Sequence, residues 1–333
     1  MTAILTLLLL QRSKIDLSSM EGEIAQGKFA MTTSVLVHLH GKLVYEKYFG
    51  TGRASLLNDT RSVTKTVTSL IAGIAGQKSK SRIESVVVRN VLGAQKKDSA
   101  WDGTTLKDLM TMSSPLAADD SDSESPGNED RMHEKDNWLP WILQLPTKSN
   151  VERSRDGQYP FCYATVNAVL AGQVVQKLVG QKLDKYIRAE LFGPLGIKKA
   201  AFQYSKSGEV MSGGGLRLTS RDLAKLGQLI LNKGSFAGKQ IVPPEWIEAM
   251  TTAHRADTVM PGVDYGYFLW KIDFGGAQGQ NVAWCMLGNG GNLVAVLPKR
   301  DAVVTITRVD YNSASTPAET MDIMGRLILP QLK

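Results

Sequence analysis

The sequence predicts an α/β fold in which an antiparallel sheet is flanked by helices and joined to a helical lobe. Three observations carry this expectation. Strand-like segments gather at both ends of the chain, and helix-like segments fill the middle. The late strands follow one another through short links, which fit antiparallel and not parallel pairing. The 333 residues suffice for a large core, and 43% hydrophobic with 21% charged residues is ordinary for a globular protein. Residues 1–60 and 205–333 are expected to form a discontinuous sheet lobe and 61–204 a mostly helical lobe, together one domain.

The first strands are 33–39, "TSVLVHL", and 42–49, "KLVYEKYF", with His40-Gly41 as the turn of a hairpin. His38 and His40 alternate with apolar residues and read as edge or surface histidines rather than a metal pair. In "NDTRSVTKTVTSLIAGIAG", residues 58 to 76, a helix is expected over 63–76. "TTLKDLMTMS" (104–113) is a second helix with Thr104 near its cap. "ADDSDSESPGNEDRMHEKD" (118–136) is an acidic loop. Asp120, Asp122 and Glu124 have the early EF-hand spacing, but Ser125 stands where glycine is needed and Pro126 follows. It reads as a polar loop at the rim of a site.

Helices are expected over 165–180 and over 181–197, the second ended by Gly193-Pro194. Gly213 to Gly215 make a turn. Thr219 and Asp222 have capping-box-like spacing at the start of a helix closing at Gly234. Strands follow at 265–272, 281–287, 292–298 and 302–309, then a last helix over roughly 317–330.

The net charge of +7 is spread along the chain without a nucleic-acid motif, so it reads as a solvated surface. Cys162 and Cys285 are too few for a disulfide framework and have no zinc spacing. They read as reduced small residues, each beside a motif of interest and so expected near one another. The apolar run Ile4 to Leu10 is too short to span a membrane and lacks the flanks of a signal peptide; it reads as a face of a first helix or a leader remnant. The expected partner is a small molecule, not a nucleic acid. Oligomeric state, and cytoplasm against export, stay open.

Three elements bear on chemistry. Ser62 and Lys65 are three apart, so on a helix they face the same way. A serine at a helix N-terminus meets backbone N–H groups that favour developing negative charge, and a lysine in a dry pocket can take its proton. Tyr163, in "YPFCYATVNAVL" (159–170), could shuttle a proton. In "CMLGNGGNLVAVLP" (285–298), Gly288, Gly290 and Gly291 would let a substrate reach backbone N–H groups. Taken singly, each has an ordinary reading: a solvated first-turn lysine, a half-buried tyrosine and a tight hairpin turn.

In that order the three resemble the serine β-lactamase and penicillin-binding-protein superfamily, and most its class C branch, with the family VIII carboxylesterases and 6-aminohexanoate-dimer hydrolases. "HGKLVYEKYFG", "LKDLMTMSS", "ESPGNEDRM", "GPLGIKKAAF", "GGGLRLTSRDLAKLGQLIL" and "LPKRDAVVTITRVDYN" add to the likeness, from about residue 33 to the C-terminus. The resemblance implies a β-lactamase-like fold. It also implies a serine hydrolase working through an acyl-enzyme, with no metal or organic cofactor. Ser62 is similar to the nucleophile, Lys65 to its base partner and Tyr163 to the tyrosine of the Y-x-N element. Gly288-Asn289-Gly290-Gly291 is similar to the K-T-G or H-x-G element. The N–H groups of Ser62 and Gly291 would then form the oxyanion hole, with Gly290 and Asn289 beside the substrate.

Two departures stand out: Thr165 replaces the asparagine of Y-x-N, and Gly288 replaces the basic first residue of K-T-G. Loss of that cation points to a neutral ester or amide rather than a β-lactam. The alternatives are a penicillin-binding peptidase, an acyltransferase, or a silent ligand-binding module. The segment before Ser62 is short for the family. Trp138, Trp141 and Tyr159 are candidate wall residues, or equally core aromatics.

Overall fold

A computed structural model of the chain describes residues 15–80, 82–93, 101–148, 152–153, 157–256 and 258–332. The apolar run Ile4 to Leu10 lies outside the described residues. The strands are β1 (Thr32–Leu39), β2 (Lys42–Tyr48), β3 (Asn58–Asp59), β4 (Arg217–Leu218), β5 (Ser235–Phe236), β6 (Lys239–Gln240), β7 (Val263–Tyr265), β8 (Trp270–Asp273), β9 (Val282–Gly288), β10 (Asn292–Leu297) and β11 (Ala302–Arg308). The helices are α1 (Ser18–Ala25), α2 (Val63–Ser79), α3 (Val88–Leu92), α4 (Leu106–Met110), α5 (Glu129–His133), α6 (Trp138–Ile142), α7 (Thr165–Val179), α8 (Leu183–Ile187), α9 (Ser220–Leu231), α10 (Pro244–Met250) and α11 (Thr316–Asp322).

Seven strands form one sheet in the order β2-β1-β11-β10-β9-β8-β7, and every adjacent pair is antiparallel. The N-terminal hairpin therefore completes the sheet made by the late strands, as its sequence pattern predicts. The central strands β10 and β11 are buried at every position, because helices cover both faces. Leu293, Ala295, Val304 and Ile306 face α1 and the C-terminal helical segment. Val294, Val296 and Val303 belong instead to the core that also holds α2, α7 and α9. The helical middle of the chain and one face of the sheet thus share a single apolar cluster.

The site is positioned by α2, which is buried without interruption from Val63 to Gly76. A helix buried on every side belongs in the centre of a protein. Here α7 packs on one side of it, and α10 on another through Trp246, whose Nε1 donates to Ser69 O at 3.0 Å. Thr219 caps α9, accepting from Asp222 N at 3.1 Å, in accord with the box read from sequence. At α4 the capping box is made by Thr105 with Asp108, one residue beyond the expected Thr104.

The segment 265–272 departs from its expectation. It is not one strand but the ends of two, β7 and β8, with a reversal between them in which Phe268 has φ of 52°. The Phe268 N–H donates to Met110 O, and Thr66 Oγ1 donates to Phe268 O at 2.8 Å. These tertiary bonds override the β propensity of "YGYFLWKI". The last helix begins at Thr316, and its later turns, 323–328, are wound more widely than an α-helix. Among the described residues no helix is long and apolar enough to cross a membrane. Both cysteines are free thiols.

Candidate active site

Ser62 stands immediately before α2. The approach to it is held from three directions. Thr60 N and Oγ1 both donate to Leu216 O, at 3.0 and 2.7 Å; Arg61 N donates to Asp59 Oδ1 at 3.2 Å; and Thr64 Oγ1 donates to Arg61 O at 2.7 Å. Arg61 itself has φ of 49°, a left-handed conformation that costs a non-glycine residue about 1–3 kcal/mol and is held by these bonds. The N–H groups of Val63, Thr64 and Lys65 are taken up by the carbonyls of Thr60, Arg61 and Ser62. The Ser62 N–H has no acceptor among the described residues and is left for an incoming group.

Lys65 is 1% exposed on this enclosed helix, so its amine must find polar partners inside the protein. It has three: Ser62 Oγ at 2.8 Å, Thr165 Oγ1 at 2.9 Å and Gly213 O at 2.8 Å. Thr165 is the first residue of α7, and Gly213 lies in the glycine turn before β4. The solvated-lysine reading of Lys65 does not survive this burial.

Tyr163 places its ring 4.9 Å from Lys65 Nζ, stacks on Trp270 at 5.5 Å between centroids, and meets Tyr265 edge-on at 6.4 Å. Among the described residues no hydrogen bond joins its hydroxyl to Ser62 or Lys65. Thr165, which stands in place of the family's asparagine, meets Lys65 on one side and a pair of carboxylates on the other. Thr165 Oγ1 is 2.7 Å from Asp120 Oδ2 and 2.8 Å from Glu129 Oε2, and Thr165 N donates to Asp120 Oδ2 at 2.7 Å. Burial pushes the Asp120 carboxyl up from 3.8 to about 6; the Lys65 charge opposes the rise and the Glu129 charge adds to it.

Ser62, Tyr163, Asp120 and Glu129 line a cavity of about 280 Å³. Its other walls are Trp270, Leu287, the turn Gly288–Asn292, and Thr316, Pro317, Thr320 and Met321 from α11. No lysine or arginine lines it among the described residues. At Gly288, where the family pattern has its cation, a Cβ would collide with the carbonyl oxygen of Thr60. Gly290 and Gly291 both have positive φ, 88° and 89°, and Gly291 N donates to Gly288 O at 3.2 Å, closing the turn. The Gly291 N–H thus already has an acceptor. Asn289 is turned to Asn312, donating through Nδ2 to Asn312 Oδ1 and accepting from Asn312 N through Oδ1, both at 2.8 Å.

The structure therefore brings Ser62, Tyr163 and the turn at 288–291 to the wall of one cavity, with Lys65 bonded to Ser62 and Thr165 bonded to Lys65. It does not bring Tyr159, Trp138 or Trp141 there. Tyr159 is buried, under the guanidinium of Arg153 at 4.6 Å and with its carbonyl accepting from Arg255 at 2.8 Å. Trp138 is core, and Trp141 borders a separate surface hollow. Sequence reasoning passed over Asp120 and Glu129 as site residues, although both lie in the acidic loop it placed at a rim. It also passed over the Gly213 carbonyl and the start of α11.

The family model described as beta-lactamase matches residues 25–320. A curated 6-aminohexanoate-dimer hydrolase from Paenarthrobacter ureafaciens is 21% identical over 226 residues, which cover 66% of this chain and 57% of that relative's length. Among solved structures, the octameric penicillin-binding protein homologue from Pyrococcus abyssi superposes with a TM-score of 0.69 at 19% identity, covering 92% of this chain and 75% of the other. EstCE1, a hydrolase with promiscuous acyltransferase activity, gives 0.69 at 17% identity, covering 95% and 98%. At these identities the superpositions establish the fold.

Proposed function

The chain belongs to the beta-lactamase family, and from that premise we propose that it is a serine hydrolase that cleaves a small ester or amide through an acyl-enzyme on Ser62. The observation that carries this reading is the enclosed Lys65 amine, 2.8 Å from Ser62 Oγ at the wall of a cavity. A module that only binds has no use for a buried amine held against a serine hydroxyl.

Lys65 takes the Ser62 proton as Oγ attacks the substrate carbonyl carbon. The Ser62 N–H meets the oxyanion. The Gly291 N–H is the second donor, and serving the oxyanion requires it to share or leave Gly288 O. Collapse of the tetrahedral adduct breaks the bond to the leaving group, which receives a proton from Lys65 or from Tyr163. Water then repeats the cycle on the acyl-enzyme and releases the acid.

The substrate is a neutral one. Trp270, Leu287, Pro317 and Met321 suit an apolar acyl chain, and two carboxylates with no cation among the lining residues oppose an anionic β-lactam. The test is competition between a short-chain p-nitrophenyl ester and a penicillin, each followed as a covalent adduct by mass. Ester acylation at Ser62 with little or no penicilloyl adduct is expected. Efficient penicilloylation would shift the reading to a penicillin-binding enzyme, and no adduct from either would overturn it.

A further inference from the structure

The two backbone donors proposed for the oxyanion come from distant parts of the chain. The Ser62 N–H ends the loop that follows β3, and the Gly291 N–H lies in the turn between β9 and β10. Their separation is fixed only if loop and turn are fixed against one another. Donors for an oxyanion act by being placed in advance, and a misplacement of about 1 Å can cost about 10²-fold in rate.

Each segment is held on its own account. The loop has the bonds of Thr60, Arg61 and Thr64. On the turn, Asp310 N donates to Gly290 O at 3.3 Å, which orients the peptide that carries the Gly291 N–H. Thr320 Oγ1 donates to Gly291 O, also at 3.3 Å.

One side chain spans the two. Asn292, the first residue of β10, is 1% exposed. Its Nδ2 donates to Asp59 O at 3.1 Å and to Asn289 O at 3.2 Å. Asp59 lies three residues before Ser62, and Asn289 two before Gly291. An amide nitrogen has two hydrogens, so each carbonyl takes one.

An asparagine that merely closes a hairpin explains the bond to Asn289 but not the bond to Asp59, 233 positions away. Asn292 Oδ1 is buried and has no partner among the described residues. The amide thus leaves an acceptor unmet, at a cost, and keeps both donations. Turned over, it would set Oδ1 against two carbonyl oxygens, so the two acceptors fix its orientation. Tyr311 backs the same junction: its hydroxyl donates to Asp59 O at 3.2 Å, and its ring packs against Gly290.

We infer that Asn292 is a positioning residue: by bridging Asp59 O and Asn289 O it sets the separation of the Ser62 and Gly291 N–H groups, and so the stabilisation of the oxyanion in acylation and deacylation alike. This rests on the serine-hydrolase reading. Asn292 acts through the backbone and moves no proton. Its loss should weaken the tetrahedral state and leave binding of the planar ester nearly unchanged.

The test uses the wild type, Asn292→Leu, which keeps the bulk and removes the donors, and Asn292→Ala. The readouts are kcat and KM for p-nitrophenyl butyrate and Ki for n-propylboronic acid. In the boronate adduct Ser62 Oγ bonds to boron as its proton passes to Lys65, and the tetrahedral boron presents an oxygen to the two N–H groups. Asn292→Leu is expected to lower kcat by about tenfold or more, with KM within about threefold. Ki should rise by about the factor by which kcat/KM falls. A kcat within about twofold of the wild type would overturn the inference. So would a lower kcat with unchanged Ki, which means fewer active molecules and a merely structural Asn292. If Asn292→Leu does not fold, Asn292→Ala decides by the same readouts. A wild type neither acylated at Ser62 nor inhibited by the boronic acid would overturn the parent reading, and this one with it.

Discussion

Gly288 lies against Thr60 so closely that no side chain fits between the end of β9 and the residues leading to Ser62. The strand edge and the loop that leads to Ser62 are in close backbone approach. The missing cation of the family's K-T-G element is thus built into the packing and is more than a change of residue type. Restoring it by Gly288→Lys is expected to cost about 1–3 kcal/mol of stability, as overpacking does, and to lose ester turnover without gaining reaction with penicillin. Melting curves and acylation assays on the purified variant check both halves. A stable, penicillin-reactive variant would contradict the account of this turn.

Lys65→Met should lower acylation by about 10³-fold or more at pH 7, since the serine loses the group that takes its proton. The fold should survive with a loss of about 1–3 kcal/mol, because the buried Gly213 carbonyl loses the donor that Lys65 supplies. Circular dichroism and the nitrophenol burst, taken on the same preparation, separate the two effects.

Tyr163 has two contributions that substitution can part. Tyr163→Phe keeps the ring on Trp270 and against Tyr265 but removes the hydroxyl. A loss of about 10²-fold in kcat with unchanged melting is expected if that hydroxyl moves the leaving-group proton. Tyr163→Ala should in addition destabilise by about 3 kcal/mol through lost aromatic packing. A Phe variant with wild-type kcat would assign Tyr163 to packing alone.

Asp120 also makes a stability prediction. Its folded pKa of about 6 lies above the ordinary 3.8, so between about pH 4 and 6 the folded state holds a proton the unfolded chain has released. Stability from this group is present at low pH and is lost as pH rises through 6, by about 2–3 kcal/mol in all. Denaturant titrations at several pH values should show a downward slope across this window in the wild type relative to Asp120→Asn. Parallel pH curves for the two proteins would contradict the raised pKa.

Much of this was legible in local patterns. The His40-Gly41 hairpin, the Thr219 cap and the apolar strands 292–298 and 302–309 are short-range signals, and they appear with bounds close to those expected. The Ser62 and Lys65 spacing needed only one helical turn. The split of 265–272 was not legible, because bonds from Thr66 and Met110, far away in sequence, set it. Nor was the place of Asp120, which reaches Thr165 across 45 residues of chain without any periodicity. As an acidic loop residue it looked like a rim ornament or a failed calcium ligand. The meeting of that loop with the start of α7 is what brings it to Thr165.

The central claim is that Ser62 is acylated with Lys65 as its base. The most direct test is a brief incubation of the wild type and Ser62→Ala with p-nitrophenyl butyrate, followed by intact mass and peptide mapping. The account predicts one butyryl group on the wild type, carried by the peptide containing Ser62, and none on the variant. An adduct on another residue, or equal nitrophenol release by both proteins, would contradict it.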